Sequence, residues 1–130
     1  MSILGELIDV PLPAPRKRPR YRGPLVYFVQ AEDSRAVKIG KTSGHRLRDR
    51  ISQLQTSTPE RLSICRLVRA DGHEDLEGAI HRELAEFRIR GEWFRNEGPV
   101  MDFAKTRPNF PAIVKVRGRI VSVGGVDVAS

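Results

Sequence analysis

The sequence predicts a small α+β domain in which helices flank a three-stranded antiparallel sheet. Short β-rich runs surround a polar turn near the start, and apolar residues recur at helical spacing in two later segments. The chain has 130 residues, which allows one compact domain with terminal segments, and its 39% hydrophobic content is sufficient for a core. The expected order of elements is β-β-α-β-α, followed by a short helix.

The first predicted elements are a hairpin, a helix and a third strand. The runs LVYFVQ and AVKIG flank the polar AEDSR, which predicts an antiparallel hairpin over 25–40. A helix over 44–56 follows, because its apolar residues share one side and Pro59 ends it. Those apolar residues are Leu47, Ile51 and Leu54. Alternation in RLSICRLVRA predicts the third strand over 61–69.

The second half of the domain is predicted to be mainly helical. Asp71-Gly72 is a turn signal, and a helix over 73–88 follows it with one apolar stripe. The stripe consists of Leu76, Ile80, Leu84 and Phe87. Trp93 is expected to pack against the sheet, and Asn96 with Pro99 resembles the start of a short helix.

These elements divide the chain into three parts. Residues 1–24 form a basic, proline-rich arm, residues 25–106 form the domain, and residues 107–130 form a C-terminal tail. In the tail, AIVKV and RIVSV surround Arg117-Gly118, which predicts either a small hairpin or an ordered extension.

The N-terminal arm concentrates proline and positive charge. Five of the nine prolines lie in 11–24, and proline favours extended backbone. The basic residues of the arm are Arg16, Lys17, Arg18, Arg20 and Arg22. Such a segment serves either as a solubilising linker or as a phosphate-binding arm, and we favour the second because each cation that pairs with a phosphate releases counterions.

The overall charge favours a polyanionic partner. The formal net charge is +7 and the sequence pI is near 10.3, with the excess in the N-terminal half. One cysteine, Cys65, excludes an internal disulfide and makes a cysteine zinc site a poor hypothesis. We expect a cytoplasmic protein with no membrane partner, because no apolar run has the length of a bilayer span and no signal-peptide pattern opens the chain.

A nucleotide triphosphate is not expected as a ligand. Gly40-Lys41-Thr42 matches the end of the phosphate-loop motif, but the first glycine of that motif would fall at Arg35. Arginine there cannot form the glycine-dependent loop that wraps phosphates.

Two helix edges carry side chains suited to phosphate chemistry. On the second helix, Glu77 and His81 are four residues apart at the rim of the apolar stripe, which suits a metal ligand beside a proton-handling group. On the first, Arg46 and Arg50 border the apolar face together, as phosphate ligands would. Each pattern alone is more typical of a solvated amphipathic helix than of a functional site.

In combination, the motifs resemble the GIY-YIG nuclease superfamily, in particular its compact phage and bacterial branch. The matching pieces, in chain order, are VYF at 26–28, KIG at 38–40, LQT at 54–56, Pro59, the pair Glu77 and His81, and GEWF at 91–94. They span residues 25–95 and fit the predicted order of strands and helices.

The resemblance implies a role for each matching residue. Tyr27 would help to deprotonate the attacking water, with Lys38 in place of a second tyrosine as a cation that could lower its pKa. Arg50 would contact the scissile phosphate, although the longer stretch after KIG leaves Arg48 as an alternative. Glu77 would bind a single divalent ion, Mg²⁺ or Mn²⁺, and His81 would share the proton transfer.

The sequence therefore predicts a metal-dependent DNA endonuclease that hydrolyses phosphodiester bonds. The residues expected to bind DNA are Lys41, Arg46, Arg48 and the arm cations Arg16, Lys17, Arg18, Arg20 and Arg22. A protein partner or a homodimer is one way in which so short a chain could cut both strands. The alternative is a catalytically inactive nucleic-acid-binding module, which Lys38 in place of tyrosine favours; a basic protein that engages protein or RNA is a third possibility.

Overall fold

The computed structural model describes residues 7–14, 17–104, 112–116 and 119–123, the last two ranges by their backbone. The elements are β1 (Pro24–Ala31), β2 (Val37–Ser43), α1 (Leu47–Thr56), β3 (Leu62–Arg69), α2 (Leu76–Glu83), a 3₁₀ turn (Ala85–Phe87), β4 (Arg88–Arg90), β5 (Trp93–Phe94), α3 (Gly98–Ala104), β6 (Ala112–Val116) and β7 (Arg119–Val123). No helix in these ranges is long and apolar enough to cross a membrane.

The α+β class is confirmed, but the predicted count of three strands is wrong. The main sheet is antiparallel and has five strands in the order β3-β1-β2-β5-β4. The predicted hairpin, first helix and third strand are all present, with α1 beginning at Leu47 because 44–46 form a turn. Strands β6 and β7 pair antiparallel as a separate two-stranded sheet.

The two additional strands arise where the second helix ends early. The apolar stripe predicts a helix over 73–88, but α2 stops at Glu83 and a 3₁₀ turn leads directly into β4. Gly91 then reverses the chain with a φ of 57°, a conformation that glycine adopts at little cost. Strands of three and two residues are too short to show the alternation by which a strand is predicted.

Strand β1 is an interior strand of the main sheet and is buried on both faces. Val26 and Phe28 pack with the apolar residues of α2 and α3, whereas Leu25, Tyr27 and Val29 pack beneath α1. Successive residues of a strand point to opposite faces, so β1 supplies both halves of the core. The predicted stripes of α1 and α2 lie in these two clusters, which confirms the helical periodicity.

The N-terminal segment is part of this packing. Val10 is buried, its N–H donates to the Leu67 carbonyl at 2.8 Å, and the Arg69 N–H donates to the Ile8 carbonyl at 2.8 Å. Asp9 accepts a hydrogen bond from Nε of the buried Arg66 at 2.6 Å. Residues 8–10 therefore extend the sheet edge at β3, while residues 1–6, 15–16 and the predicted boundary near residue 106 lie outside the described ranges.

Removal of the Asp9 charge is expected to destabilise the fold. The Arg66 side chain is 3% exposed, so Asp9→Asn would leave a buried guanidinium without its counter-charge and lower the free energy of unfolding by about 3 kcal/mol. The matched control is Asp75→Asn, because the Asp75–Arg82 pair is 63% and 70% exposed and should contribute less than about 1 kcal/mol. Urea unfolding measures both; equal effects would contradict this account of Arg66.

Candidate active site

Tyr27 is held by the pairing of β1 with β2. It is opposite Gly40 in the antiparallel register, and the whole side chain is buried. The hydroxyl is also buried, and no hydrogen-bond partner of good geometry reaches it. A Cβ on Gly40 would collide with this hydroxyl and would stand 2.9 Å from Oε1 of Glu92. Because Gly40 has no side chain, the Tyr27 hydroxyl and Oε1 of Glu92 both fit beside its backbone.

Helix α1 places Arg50 beside Tyr27. The guanidinium is close enough to act on the pKa of the Tyr27 hydroxyl, and the hydroxyl in turn raises the pKa of Arg50. Arg48 is exposed and is two positions away, which is about 200° around a helix. Of the two arginines considered from the sequence, Arg50 is thus the one that lies next to Tyr27.

Helix α2 brings Glu77 and His81 to the open edge of β2. Strand β5 pairs with β2 at Val37 and Lys38, and beyond that point Nε2 of His81 lies 2.8 Å from the Ile39 carbonyl oxygen. A carbonyl oxygen can only accept, so Nε2 carries the proton and the lone pair of a neutral ring is on Nδ1. The ring also packs edge-on against Phe94 at 5.0 Å, which fixes its orientation.

Glu92 belongs to the same group and was not predicted. Its backbone carbonyl accepts from the Ile39 N–H at 2.9 Å, and its Oε1 lies 3.4 Å from Nζ of Lys38. Lys38 also lies over the Trp93 ring at 5.3 Å. Glu92 is part of the GEWF segment that carries the family resemblance, but the short strands on either side give no signal for where its side chain lies.

The pKa of Tyr27 is shifted in the direction opposite to the one expected from the sequence. Burial is the main cause that raises its pKa, the Glu92 and Glu77 charges act in the same direction, and Arg50 opposes them. The expected lowering by Lys38 is therefore wrong, because Lys38 pairs with Glu92 and desolvation outweighs the nearby cation. Tyr27 is a neutral hydroxyl at pH 7, able to donate or accept a hydrogen bond.

Glu77 is also perturbed by its surroundings. Its pKa is raised by burial first and then by the Glu92 charge, while His81 and Lys41 act to lower it. One of its oxygens, Oε2, is buried with no hydrogen-bond partner. The structure thus brings Tyr27, Lys38, Arg50, Glu77 and His81 together around Glu92.

An open groove of about 1030 Å³ runs past this cluster. Lys41, Arg46 and Arg50 line it from the side of β2 and α1, and Glu77 lines it from α2. Among the arm cations, Lys17, Arg18 and Arg20 are exposed, and Arg22 donates to Nδ1 of His45 at 2.8 Å. Arg16 is outside the described residues.

Replacing the Tyr27 hydroxyl should not destabilise the protein. An unpartnered buried hydroxyl is unfavourable, so Tyr27→Phe is expected to raise the free energy of unfolding by about 1 kcal/mol. Tyr21→Phe is the control, because that hydroxyl hydrogen-bonds to the Pro24 carbonyl and to Asp71, and its loss should cost about 1 kcal/mol. Thermal unfolding of both variants tests the contrast, and a similar loss in each would mean that Tyr27 has a partner in solution.

Comparison with known proteins gives a family for the chain. No curated protein and no solved structure matches it. The sequence matches the T5orf172 domain over residues 25–107, which is more than half of the chain. This finding overturns the resemblance to the GIY-YIG superfamily, because T5orf172 is a different family and the motifs behind that resemblance are short pieces inside the matched range. The chain belongs to the T5orf172 domain family, whose members are nuclease-like or DNA-binding modules.

Proposed function

We propose that this protein is a DNA endonuclease that hydrolyses phosphodiester bonds at the cluster of Tyr27, Arg50, Glu77 and His81. The observation that carries the proposal is that two of the buried oxygens without a hydrogen-bond partner, the Tyr27 hydroxyl and Glu77 Oε2, belong to one cluster that includes an arginine. Buried polar atoms normally have partners, and exceptions occur at functional sites. Membership of the T5orf172 family supports a nuclease-like role.

Arg50 supplies the charge that phosphodiester cleavage requires. In hydrolysis, a water oxygen forms a bond to phosphorus as the bond to the leaving oxygen breaks, and negative charge increases on the non-bridging oxygens. A guanidinium remains charged at any working pH and can bind two of these oxygens together. Arg50 lines the groove, where a phosphate can reach it.

Tyr27 and His81 are suited to orient the water and accept its proton. The raised pKa of Tyr27 keeps the hydroxyl neutral, so it acts by hydrogen bonding and not as a phenolate. His81 has one nitrogen committed to the Ile39 carbonyl, and its Nδ1 can accept a proton. The residue expected from sequence to be a base therefore becomes an orienting group, and the imidazole becomes the acceptor.

A divalent cation, Mg²⁺ or Mn²⁺, fits the chemistry of the Glu77 carboxylate. Mg²⁺ prefers oxygen ligands and typically binds one or two carboxylates while keeping several waters. Glu77 offers an oxygen with no internal partner. When bound, such an ion supplies Lewis acidity at the phosphate. Within the described residues, no group of three or more His, Cys, Asp or Glu side chains is arranged to hold a metal.

The groove and the arm would hold the DNA backbone. Lys41 and Arg46 line the groove beside Arg50, and the chain carries a formal net charge of +7. Contacts of this kind position a nucleic acid without reading its sequence.

Loss of the site residues should abolish cutting without abolishing binding. In a supercoiled-plasmid nicking assay with Mg²⁺ or Mn²⁺, Glu77→Gln and Arg50→Ala are each expected to slow nicking by about a hundredfold or more. Arg48→Ala is the matched comparison and tests the alternative arginine, because it removes the same charge from the opposite side of α1, where Arg48 does not line the groove. Its nicking rate should stay within a few-fold of the wild type.

The same assay separates the proposal from its alternative. Nicking that persists in Glu77→Gln would contradict the assigned site. Gel shifts by the wild type with no product under any metal would instead identify a binding module without turnover.

The salt dependence of DNA binding should report the groove cations. Each phosphate contact changes the slope of log K against log salt by about 0.9, so Lys41→Ala with Arg46→Ala should reduce its magnitude by about 2. The control is the double variant Arg61→Ala with Arg90→Ala, which removes the same charge outside the groove lining. Arg61 is exposed before β3, and Arg90 is exposed on β4. Fluorescence anisotropy over a salt series measures both slopes, and equal reductions would exclude a specific groove contact.

A further inference from the structure

Glu92 is fixed beside β2 by both its backbone and its side chain. The backbone carbonyl accepts from the Ile39 N–H at 2.9 Å, and Oε1 forms an ion pair with Lys38 Nζ at 3.4 Å. The Lys38 ammonium is itself held over the Trp93 ring. The Glu92 side chain is 31% exposed, so a small solvated ligand can reach its oxygens.

The Glu92 carboxylate lies against that of Glu77. The two groups are close enough to form a hydrogen bond with each other. Two carboxylates in contact repel when both are ionised, unless a cation or a shared proton lies between them. The positive groups around the pair include Lys38 and Lys41.

A third oxygen points into the same space. The Tyr27 hydroxyl belongs to a fully buried side chain, has no hydrogen-bond partner and approaches the Gly40 backbone where Glu92 Oε1 also lies. A buried hydroxyl of this kind is normally paired, either with protein or with an ordered ligand. This observation is independent of the acidic pair and indicates that a polar ligand belongs here.

Two other acidic residues of the groove, Asp71 and Asp75, have different surroundings. Asp71 accepts two hydrogen bonds from Arg69, at 2.9 and 2.7 Å, and Asp75 accepts one from Arg82 at 3.2 Å. Each of these carboxylates is matched by an arginine at close range. Oε2 of Glu77, in contrast, is buried with no partner.

We propose that Glu92 is a second carboxylate ligand of the divalent cation assigned to Glu77. One ligand then comes from α2 and the other from the turn between β4 and β5, with water and a phosphate oxygen as the remaining ligands. Lys38 pairs with the Glu92 carboxylate and would compete with the ion for it. The inference rests on the proposed function, because it concerns the same ion.

Direct Mn²⁺ binding to the full chain without DNA tests the assignment. Electron paramagnetic resonance of free Mn²⁺ gives the affinity for the wild type and for Glu77→Gln, Glu92→Gln and the exposed control Glu97→Gln, with circular dichroism to check folding. Glu77→Gln and Glu92→Gln should each weaken Mn²⁺ binding by about tenfold or more, because loss of a group that only hydrogen-bonds to a metal ligand already weakens binding by about tenfold. Glu97→Gln should bind as the wild type does.

The variant Lys38→Gln tests whether Glu92 binds the ion directly or acts only through Lys38. Removing this cation should leave Mn²⁺ affinity unchanged or raise it, because a competing positive charge is lost. If Glu92 acted only through Lys38, Lys38→Gln would weaken binding as much as Glu92→Gln does, and the proposal would be overturned.

The outcomes separate this inference from the proposed function. Normal Mn²⁺ binding by Glu92→Gln with a loss in Glu77→Gln would overturn the second ligand and leave the endonuclease intact. No binding by the wild type at millimolar Mn²⁺ would also overturn it. Carboxylate-dependent binding without any plasmid nicking would retain the metal site and contradict the endonuclease.

Discussion

The arrangement of the site depends on one steric constraint, the absence of a side chain at Gly40 opposite the buried Tyr27. Paired residues of an antiparallel ladder point to the same face, so any larger residue at position 40 would occupy the space that the Tyr27 hydroxyl enters. Because β1 is buried on both faces, Tyr27 cannot move aside without disturbing the core. Glycine at this position lets a polar atom lie inside a packed sheet and still face the Glu92 carboxylate.

The open edge of β2 explains how residues from both layers meet. Helix α1 packs on one face of the sheet and α2 on the other, so Arg50 and Glu77 would normally be separated by the strands. Since β5 pairs with β2 only at Val37 and Lys38, the next part of the β2 edge is bordered by His81 and Glu92 instead of by a strand. Their contacts with the Ile39 backbone satisfy groups that an edge would otherwise leave exposed. The short strands β4 and β5 therefore contribute to the assembly of the site.

Periodicity made the central elements predictable and gave no signal for the late ones. The first hairpin, α1 and β3 are long enough for alternation or helical spacing to identify them, and Glu77 and His81 could be placed on one edge of a helix from their spacing alone. Glu92 could not, because it is in the turn between strands of three and two residues, and its position depends on the turn at Gly91. The direction of the Tyr27 pKa shift cannot be predicted from the sequence either, since it is set by burial in the folded core.

The N-terminal segment packs against the sheet and also carries positive charge near the groove. It is anchored at residues 8–10 to β3, and again at Tyr21, whose hydroxyl proton is shared between the Pro24 carbonyl and the carboxylate of Asp71, a residue of the groove. Lys17, Arg18 and Arg20 lie between these two anchored points, with Pro19 buried among them. The described residues around these three cations are restrained before DNA binds, so the cations would bind a phosphate backbone at a smaller entropic cost than those of a free tail. In the proposed function, Lys17, Arg18 and Arg20 therefore extend the positive side of the groove.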